Sequence, residues 1–358
     1  MNPTPRPRGR GLALALAPMD GITDAAWREL ATGVGDDDSG IDWCVSEFVR
    51  VTHCGVGAAV LLREVPELAH GGRTRSGVPV AVQLLGGVPG PMADTAARAV
   101  ELGALAIDLN FGCPAKTVNN HDGGAALLKT PCRIESVVAA VRAAVPPQIP
   151  VSAKIRLGWD SSATVVELAR AAEAGGAAWL TIHARTRLQL YAPPVDWGAI
   201  GRARAAVGID VVANGDLCRV ADVERCAADS GCSAFMIGRA AMADPWLFRR
   251  IRGLQPDGEV DAVALTRLVE GYVANLRARG GTESMALARV KQWMRFAAAL
   301  HEPGARAFEA IKRCSSLAQA QPLLAAALAS PEGVSSPGRR AAGPHPAASS
   351  SHPASCPA

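Results

Sequence analysis

Several features that define large classes of protein are missing from this chain. Its 358 residues contain no Cys-x-x-Cys pair, and its nine cysteines follow no repeating spacing. An odd and irregular set of cysteines argues against a disulfide framework, and without paired cysteines we expect no metal site of the zinc or iron–sulfur type. No apolar run is long enough to span a membrane, and the run at 12–17 is too short for the core of a secretion signal. We therefore expect a cytoplasmic protein with no membrane partner.

A strong charge of either sign is also missing, as is the glycine fingerprint of a dinucleotide-binding fold. The net charge of +4 permits a nucleic-acid partner without requiring one. No early Gly-x-Gly-x-x-Gly segment is present, which argues against a doubly wound sheet. What the chain does have is length and apolar content. With 49% hydrophobic residues it can build the core of one large α/β domain and a smaller second one.

Short apolar segments alternate with longer helical stretches over the first two thirds of the chain. The predicted strands lie at 12–17, 43–46, 78–85, 104–109, 151–155, 179–182, 209–213 and 234–237. Helices are predicted between them, among others at 92–102, 134–144, 163–174 and 220–229. Strands that alternate with helices form parallel sheets, and eight such units in about 250 residues match the usual size of a (β/α)8 barrel. The sequence therefore predicts the α/β class and a TIM barrel.

From about Gly258 the pattern becomes entirely helical. Helices are predicted at 261–279 and 284–300, and 305–327 is helical in character, which predicts a small all-helical C-terminal domain. From Ser330 onward the chain is rich in Pro, Ser, Ala and Gly and cannot bury a core. The expected organisation is a flexible N-terminus at 1–10, a barrel at 11–255, a helical domain at 256–328 and a disordered tail at 329–358.

The turn after the fourth predicted strand is the most informative segment. The apolar run at 104–109 ends abruptly in Asn110, Gly112, Cys113 and Pro114, and glycine and proline are residues that stop a strand. A cysteine on a tight turn at the carboxyl end of a barrel strand lies where such barrels perform their chemistry. A lone cysteine is more often a small buried hydrophobe, so the functional interpretation depends on the other strand ends.

Nearly every predicted strand carries a polar or special residue at its carboxyl end, and in a barrel these ends converge on one face. The residues in question are Pro18, Met19, Glu47, Gln83, Asn110, Cys113, Lys154, Arg156, His183, Asn214, Gly215, Asp216, Gly238 and Arg239. The last five follow the seventh and eighth strands, whose loops commonly bind phosphate in barrels. Glycines let backbone N–H groups approach phosphate oxygens, and an arginine adds charged donors.

Three of these side chains allow both a structural and a functional interpretation. Lys154 could form a structural ion pair, or it could place a cation beside an electron-rich ring such as a flavin. His183 could be a core histidine with satisfied hydrogen bonds, or it could bind a cofactor. Gln83 lies between apolar residues and needs a partner for its amide, which the edge of a flavin ring would supply.

Taken together, these residues resemble the tRNA-dihydrouridine synthase family. The matching segments occur in family order at 17–24, 46–50, 82–86, 108–114, 154–159, 182–186, 213–216 and 237–239. Finer features are similar to the bacterial C-type subfamily, which reduces uridine 16 in the tRNA D-loop. These features lie at 47–51, 115–119, 156–160 and 288–293, the last of them in the helical region.

The resemblance implies an FMN cofactor in the barrel, NADPH as reductant and the D-loop of tRNA as substrate. It implies that Cys113 is the catalytic acid and that hydride passes from FMN to uracil C6 while Cys113 protonates C5. FMN would be bound by Pro18, Met19, Gln83, Lys154, His183, Asn214, Gly215, Asp216, Gly238 and Arg239. The substrate tRNA would be contacted by Glu47, Asn110, Arg156, Arg289 and Lys291. We expect a monomer.

Two alternatives remain open at the level of sequence. A flavin barrel that acts on a free pyrimidine, similar to dihydroorotate dehydrogenase, would share the fold, FMN and the phosphate site. The basic helical region and the Asn-x-Gly-Cys-Pro turn speak against it. A tRNA-binding protein without catalytic activity is the other alternative, against which the presence of Cys113, Lys154 and His183 argues. The basic residues after the barrel also allow the ordinary interpretation of a solvated helix face.

Overall fold

The computed structural model describes residues 3, 11–35, 38–120, 122–258 and 260–329. The flexible N-terminus expected at 1–10 and the disordered tail expected at 329–358 lie outside the described residues, apart from Pro3 and Ala329. Nine parallel strands are present within the described ranges. They are β1 (Ala13–Leu16), β2 (Trp43–Val45), β3 (Val49–Arg50), β4 (Val80–Leu85), β5 (Ile107–Asn110), β6 (Val151–Arg156), β7 (Trp179–His183), β8 (Asp210–Asn214) and β9 (Ala234–Ile237).

Eight of these strands close into a barrel. From β4 to β9 each strand pairs with the next, β9 pairs with β1, β1 with β2, and β2 with β4, all of them parallel. The short strand β3 was not predicted. It continues the path of β2 after a break at 46–48 and pairs with the carboxyl half of β4, where Val49 aligns with Leu84. Each of the eight strands has a partner on both sides, so the sheet has no free edge and is closed. The prediction of a (β/α)8 barrel is therefore confirmed.

Helices cover the outside of the barrel. They are α1 (Ala25–Thr32), α2 (Ala58–Glu64), α3 (Pro89–Glu101), α4 (Lys116–Asn119), α5 (Pro131–Ala144), α6 (Val165–Ala174), α7 (Trp197–Ala205), α8 (Val220–Ser230), α9 (Arg239–Ala243) and α10 (Leu247–Arg252). Three short 3-10 helices lie at Pro66–His70, Gly124–Lys129 and Ser162–Thr164. The predicted helices at 92–102, 134–144, 163–174 and 220–229 correspond to α3, α5, α6 and α8.

The interior of the barrel changes from apolar to polar along its axis. Its apolar part is a separate buried cluster that includes Trp43 and Trp179, whose rings meet edge to face at 6.4 Å. Because side chains alternate along a strand, the residues two and four positions after Trp179 face the same interior. These are Thr181 and His183. The polar layer at the carboxyl ends therefore rests on a packed apolar floor.

The C-terminal region contains four helices, α11 (Ala262–Ala278), α12 (Glu283–Ala297), α13 (Glu302–Ile311) and α14 (Leu317–Ala329). The stretch expected to be helical at 305–327 is therefore two helices and not one. The break has a physical cause at Ser315 and Ser316. The N–H and hydroxyl of Ser315 bond to Gln319 Oε1 at 3.1 Å, and Ser316 Oγ accepts from the Gln319 N–H at 3.3 Å. This reciprocal cap starts a new helix.

An aromatic cluster joins this helical region to the barrel. Trp27 of α1 meets Tyr272 of α11 and Trp293 of α12 edge to face, with ring centroids 5.6 and 4.6 Å away. All three rings are fully buried, and edge-to-face pairs of this kind add to the gain from burial. The helical region is thereby fixed beside the β1–α1 loop. Among the described residues, every helix is too short or too polar to cross a membrane.

Candidate active site

The strand registers bring the predicted side chains together at the carboxyl end of the barrel. Asn110 of β5 lies beside Lys154 of β6, and His183 of β7 lies beside Arg156 on one side and Asn214 of β8 on the other. Parallel strands in register place these ends at one height, so residues distant in sequence become neighbours. The site is therefore a property of the closed sheet.

A chain of buried hydrogen bonds leads from the barrel interior to the Cys113 turn. Ser152 Oγ and Gln83 Nε2 donate to the two carboxylate oxygens of Asp108, at 2.6 and 2.7 Å. Asn110 Nδ2 donates to Gln83 Oε1 at 2.8 Å, and Asn110 Oδ1 accepts from the N–H of Cys113 at 2.9 Å. Gln83 finds its amide partners within the protein and orients Asn110. Both ends of the Asn110 amide are in turn engaged, and they fix the turn that carries the thiol.

The backbone on both sides of Cys113 is also held in place. The Gly112 carbonyl accepts from Arg156 Nε at 2.9 Å, and the Pro114 carbonyl accepts from Arg187 Nη2 at 3.1 Å. The Cys113 carbonyl itself accepts from the Ala125 N–H at 3.0 Å. A rigid turn of this kind presents one side chain in a defined direction. The thiol is partly exposed, as an acid that must reach a substrate has to be.

Electrostatics keep the Cys113 thiol neutral. Burial raises its pKa above the ordinary value, and the negative charge of Asp20 acts in the same direction. The Ala115 N–H and the cations of Arg156 and Lys154 oppose this shift without cancelling it. A neutral thiol is a proton donor and a poor nucleophile. Burial therefore leaves the thiol protonated more fully than that of a free cysteine.

Lys154 is a partly buried cation whose hydrogen-bond partner within the described residues is the side-chain amide of Asn214. Its Nζ donates to Asn214 Oδ1 at 3.2 Å, and Asn214 Nδ2 donates to the Met236 carbonyl at 2.7 Å. Burial and the neighbouring Arg156 lower the pKa of Lys154 to about 8, against the attraction of Asp108. At neutral pH the ammonium is therefore still charged, and no carboxylate among the described residues forms a direct ion pair with it.

Two buried polar atoms on β7 have no hydrogen-bond partner within the described residues. They are His183 Nδ1 and Thr181 Oγ1, which face the barrel interior two residues apart. Burial lowers the pKa of His183 well below its ordinary value, and the cations of Arg156 and Lys154 add to the effect. The imidazole is therefore neutral. Buried polar atoms are almost always paired in proteins, so two neighbouring unpaired ones mark a place for a polar ligand.

A cavity of about 300 Å³ opens next to this polar layer. Its barrel side is lined by five residues predicted to bind phosphate, which are Asn214, Gly215, Asp216, Gly238 and Arg239. Gly215 has a φ of +123°, which only glycine adopts readily. The Asp216 carboxylate accepts from Arg185 at 3.0 and 2.5 Å and from Arg239 at 2.8 Å. These two guanidinium groups hold the pKa of Asp216 below its ordinary value, so Asp216 orients cations around the cavity.

The β1–α1 loop carries Pro18 and Met19 to the same region. The Met19 N–H donates to Thr23 Oγ1 at 2.8 Å, and its carbonyl accepts from the N–H groups of Ile22 and Thr23, each at 2.9 Å. A Cβ added at Gly238 would come within 3.1 Å of Met19 Sδ. Met19 therefore packs directly against a cavity-lining glycine, with its backbone already bonded inside the loop.

The predicted tRNA contacts lie in three places, the first of which is the Cys113 turn held by Asn110 and Arg156. Glu47 and Arg289 lie around the β1–α1 loop, where Glu47 Oε1 accepts from the Ile22 N–H at 3.0 Å and Arg289 Nε lies 3.4 Å from Asp24 Oδ2. Lys291 does not reach the barrel site, because its Nζ donates to the Cys314 carbonyl at 2.5 Å within the helical region.

Arg156 is more deeply buried than a substrate contact on the surface would be. Besides Gly112, its guanidinium donates to the carbonyls of Thr186 at 3.1 Å and Leu190 at 2.8 Å. Burial lowers its pKa, and three of its donors fix backbone. Its observed role is thus to join the loops after β5 and β7 at the mouth of the barrel.

Three residues of the site escaped sequence reasoning about strand ends. Arg185 and Arg187 follow His183 and reach across to Asp216 and Pro114. Tyr191 is 53% exposed, and its ring lies under Arg239 at 4.8 Å and Arg156 at 5.5 Å. Two arginines directly after a strand-end histidine were the available signal. Tyr191 gave no signal, because only the folded loop places it there.

A closed parallel barrel with its polar, partly unsatisfied side chains gathered at the carboxyl ends of the strands defines a TIM-barrel enzyme. The family model described as "Dihydrouridine synthase (Dus)" matches residues 15–330, and the chain belongs to this family. It is 46% identical over 299 residues to the "tRNA-dihydrouridine(16) synthase" of Cupriavidus necator, covering 83% of this chain and 91% of that one. The protein of the same name from Escherichia coli K12 is 42% identical over 297 residues, covering 83% and 92%.

Among solved structures, a complex of 2-naphthoyl-CoA reductase is similar in fold. The TM-score is 0.51 at 11% sequence identity, and the match covers 69% of this chain and 51% of that one. At this level of identity the likeness concerns the barrel fold alone.

Proposed function

We propose that this protein reduces uridine 16 in the D-loop of tRNA to 5,6-dihydrouridine, with FMN as cofactor and NADPH as reductant. The observation that carries the proposal is the Cys113 turn, which Asn110 and Arg156 hold at the mouth of a barrel whose polar layer contains unpaired groups. The 40–46% identity to proteins named tRNA-dihydrouridine(16) synthase supports the choice of uridine 16.

The residues present fit FMN. His183 Nδ1 and Thr181 Oγ1 need partners in the barrel interior, and a flavin carries both donors and acceptors. Lys154 is a cation that has no carboxylate partner in the described part of the chain, which suits a ring that becomes negative on reduction. Asn214, Gly215, Asp216, Gly238 and Arg239 line the cavity that would hold the ribityl phosphate. Pro18 and Met19 would complete the site from the neighbouring loop. The amide of Gln83 is already bonded to Asp108 and Asn110 instead of awaiting a flavin, so Gln83 would contribute to the site beneath the cofactor.

When bound, FMN supplies the hydride that uracil receives at C6, and NADPH restores the reduced cofactor. The protein's own part is proton transfer and positioning. Cys113 donates a proton to C5, because its thiol is neutral in this site. A base in a folded RNA must leave its stack to reach a barrel interior. Asn110 and Arg156, which hold the Cys113 turn, would lie beside the extruded uracil.

We further propose a division of labour between the two regions. The barrel at 11–255 catalyses the reaction, and the basic side chains of the helical region at 256–328 bind the phosphates of tRNA. Glu47 and Arg289 lie between the two regions and would contact the substrate at their junction. Lys291 would act indirectly by holding the Cys314 turn. We propose that the protein acts as a monomer in the cytoplasm.

The test separates the two half-reactions. Cys113→Ala should leave the reduction of bound FMN by NADPH unchanged and slow the reduction of tRNA by about a hundredfold or more. If the variant reduced tRNA at the normal rate, the role of Cys113 would be wrong. A site-resolved map of dihydrouridine in tRNA from cells without the gene, and with it restored, tests the position. Loss at position 16 supports the proposal, and loss at another D-loop position would contradict the choice of uridine.

The same preparation tests the two alternatives. Turnover of free uracil or orotate would favour an enzyme acting on a free pyrimidine. Purified protein that fails to bind added FMN would favour a tRNA-binding protein without catalytic activity.

A further inference from the structure

His301 connects the helical region to the barrel next to the cavity. It precedes α13, where its Nδ1 accepts from the Gly304 N–H at 3.0 Å. Its Nε2 lies 2.7 Å from the carbonyl oxygen of Ala243, the last residue of α9. Because Nδ1 accepts a hydrogen bond, the proton of the neutral ring is on Nε2, which donates to Ala243. Burial lowers the pKa of His301 and favours this neutral form.

The two segments joined by His301 both line the cavity. The first contributes Ala240 and Ala243 of α9. The second contributes Phe296, Ala299 and Leu300, from the end of α12 and the residues that follow it. His301 is the next residue after Leu300. Its hydrogen bond to Ala243 therefore fixes the distance between the two segments at the point where they meet.

The connection between α12 and α13, at 298–301, carries His301 and is held rigidly. Gly304 packs so closely on α12 that an added Cβ would lie 2.5 Å from the carbonyl carbon and the Cβ of Ala297. No side chain fits there, so α12 and α13 are in backbone contact. Because this connection is rigid, the position of α12 and α13 determines the position of His301. The hydrogen bond from His301 to Ala243 then links the helical region to α9.

We propose that His301 is a positioning residue for the phosphate end of FMN, and that the helical region thereby forms part of the cofactor site. The inference rests on the proposed function, since it takes FMN as the occupant of the cavity. α9 begins at Arg239, the cation that lines the cavity, so holding the end of α9 also holds its beginning. Without the His301 bond, the end of α9 and the residues after α12 would be held less firmly, and bound FMN would lose contacts on that side.

Two substitutions at His301 separate its two hydrogen bonds. His301→Asn keeps an oxygen in place of Nδ1 and can still cap α13, but its side chain ends before Ala243. His301→Ala loses both bonds. The matched control is Asp261→Ala, which removes the cap of α11, where Asp261 Oδ1 accepts from the N–H groups of Val263 and Ala264 at 2.8 and 3.1 Å. That cap is exposed and lies outside the cavity lining.

FMN affinity is measured by the quenching of flavin fluorescence on titration into apoprotein, together with the melting temperature of the apoprotein. We expect His301→Asn to bind FMN about three- to tenfold more weakly, the effect of one hydrogen bond. Asp261→Ala should bind FMN like wild type. At saturating FMN, His301→Asn should accept electrons from NADPH at the wild-type rate, because the fault lies in cofactor retention.

A second variant keeps the inference testable if His301→Asn folds poorly. Ala299→Phe adds a ring at an exposed position of the wall and should also weaken FMN binding. Wild-type affinity for FMN in a folded His301→Asn variant would overturn the role of His301. Wild-type affinity in Ala299→Phe would show that the helical region is not part of the cofactor site. Equal weakening in Asp261→Ala would also overturn the inference, by showing a general loss of stability. Wild-type protein that binds no FMN would instead contradict the proposed function.

Discussion

Arg187 donates from Nη2 to the carbonyl of Pro114 at 3.1 Å, directly beside the catalytic cysteine proposed above. On the other side, Arg156 donates to Gly112 at 2.9 Å. The two arginines come from β6 and the loop after β7, so Cys113 lies between carbonyls held by two different parts of the barrel. The direction of the thiol is thus set by neighbouring loops as much as by its own turn.

Arg187→Lys should impair only the step that uses Cys113. A lysine lacks the planar fork of the guanidinium and cannot reproduce its directed bond to Pro114. We expect single-turnover reduction of tRNA to slow by about tenfold, with reduction of FMN by NADPH unchanged. Arg202→Lys, at an exposed position on α7 with a long 3.6 Å ion pair to Asp196, is the control and should leave both rates unchanged. Equal losses in the two half-reactions of Arg187→Lys would contradict the assignment.

Glu47 should make folding stability depend on pH. Burial, reinforced by the charge of Asp24, raises the pKa of Glu47 from 4.5 to about 7. Below pH 4.5 the group is neutral in the folded and unfolded states. Between pH 4.5 and 7 the unfolded state ionises first, so the free energy of unfolding falls as pH rises, by at most about 3 kcal/mol.

Glu47→Gln should remove this dependence while keeping an acceptor for the Ile22 N–H. Its gain in unfolding free energy over wild type should grow from pH 5 to pH 7 and stay constant above that. Urea denaturation at a series of pH values measures the gain. A difference between variant and wild type that is the same at every pH would show that Glu47 ionises normally.

Lys154 should make FMN binding weaken in mildly alkaline solution. The pKa of Lys154 in the described structure is lowered to about 8 by burial and by Arg156, so the side chain loses its charge above that pH. Binding an anionic cofactor then requires the uptake of a proton. We expect the FMN dissociation constant to rise by up to about tenfold between pH 7 and 9.

Lys154→Met is the matched variant for this experiment, because methionine fills similar space without a charge. It should bind FMN more weakly at pH 7 and show little change up to pH 9. Fluorescence titrations in buffers of constant ionic strength give both curves. Parallel curves for wild type and variant would assign the pH dependence to another group.

The buried ion pair between Arg28 and Glu67 should dominate the stability of the first barrel helix. Arg28 Nε and Nη2 donate to the two carboxylate oxygens of Glu67 at 2.7 and 2.8 Å, and both side chains are buried. Glu67→Gln leaves the guanidinium without a counter-charge and should lower the free energy of unfolding by about 3–5 kcal/mol. Glu64→Gln, which breaks an exposed pair with Arg63, is the control and should change it little. Equal effects in a urea titration would contradict this difference.

The sequence alone was sufficient for the fold and for the neighbourhood of the site. Each predicted strand overlaps an observed one, because apolar runs bounded by turn residues are a local signal. Asn110, Lys154, His183 and Asn214 could be placed together without coordinates, since parallel strands in a barrel end on one face. The short strand β3 was not predicted, because it is defined by its pairing with β4. The break between α13 and α14 was not predicted either, because it depends on a cap formed by two serines.

What only the tertiary structure decided is how those side chains are used. Gln83 and Asn110 bond to each other, Arg156 turns toward three carbonyls, and Lys291 stays within the helical region. The bond between His301 and Ala243 joins residues 58 positions apart. No local pattern encodes such contacts, because they depend on where separate segments meet after folding. The same holds for the charge states, since the pKa of Cys113, Lys154 and Glu47 is set by burial that only the closed barrel creates.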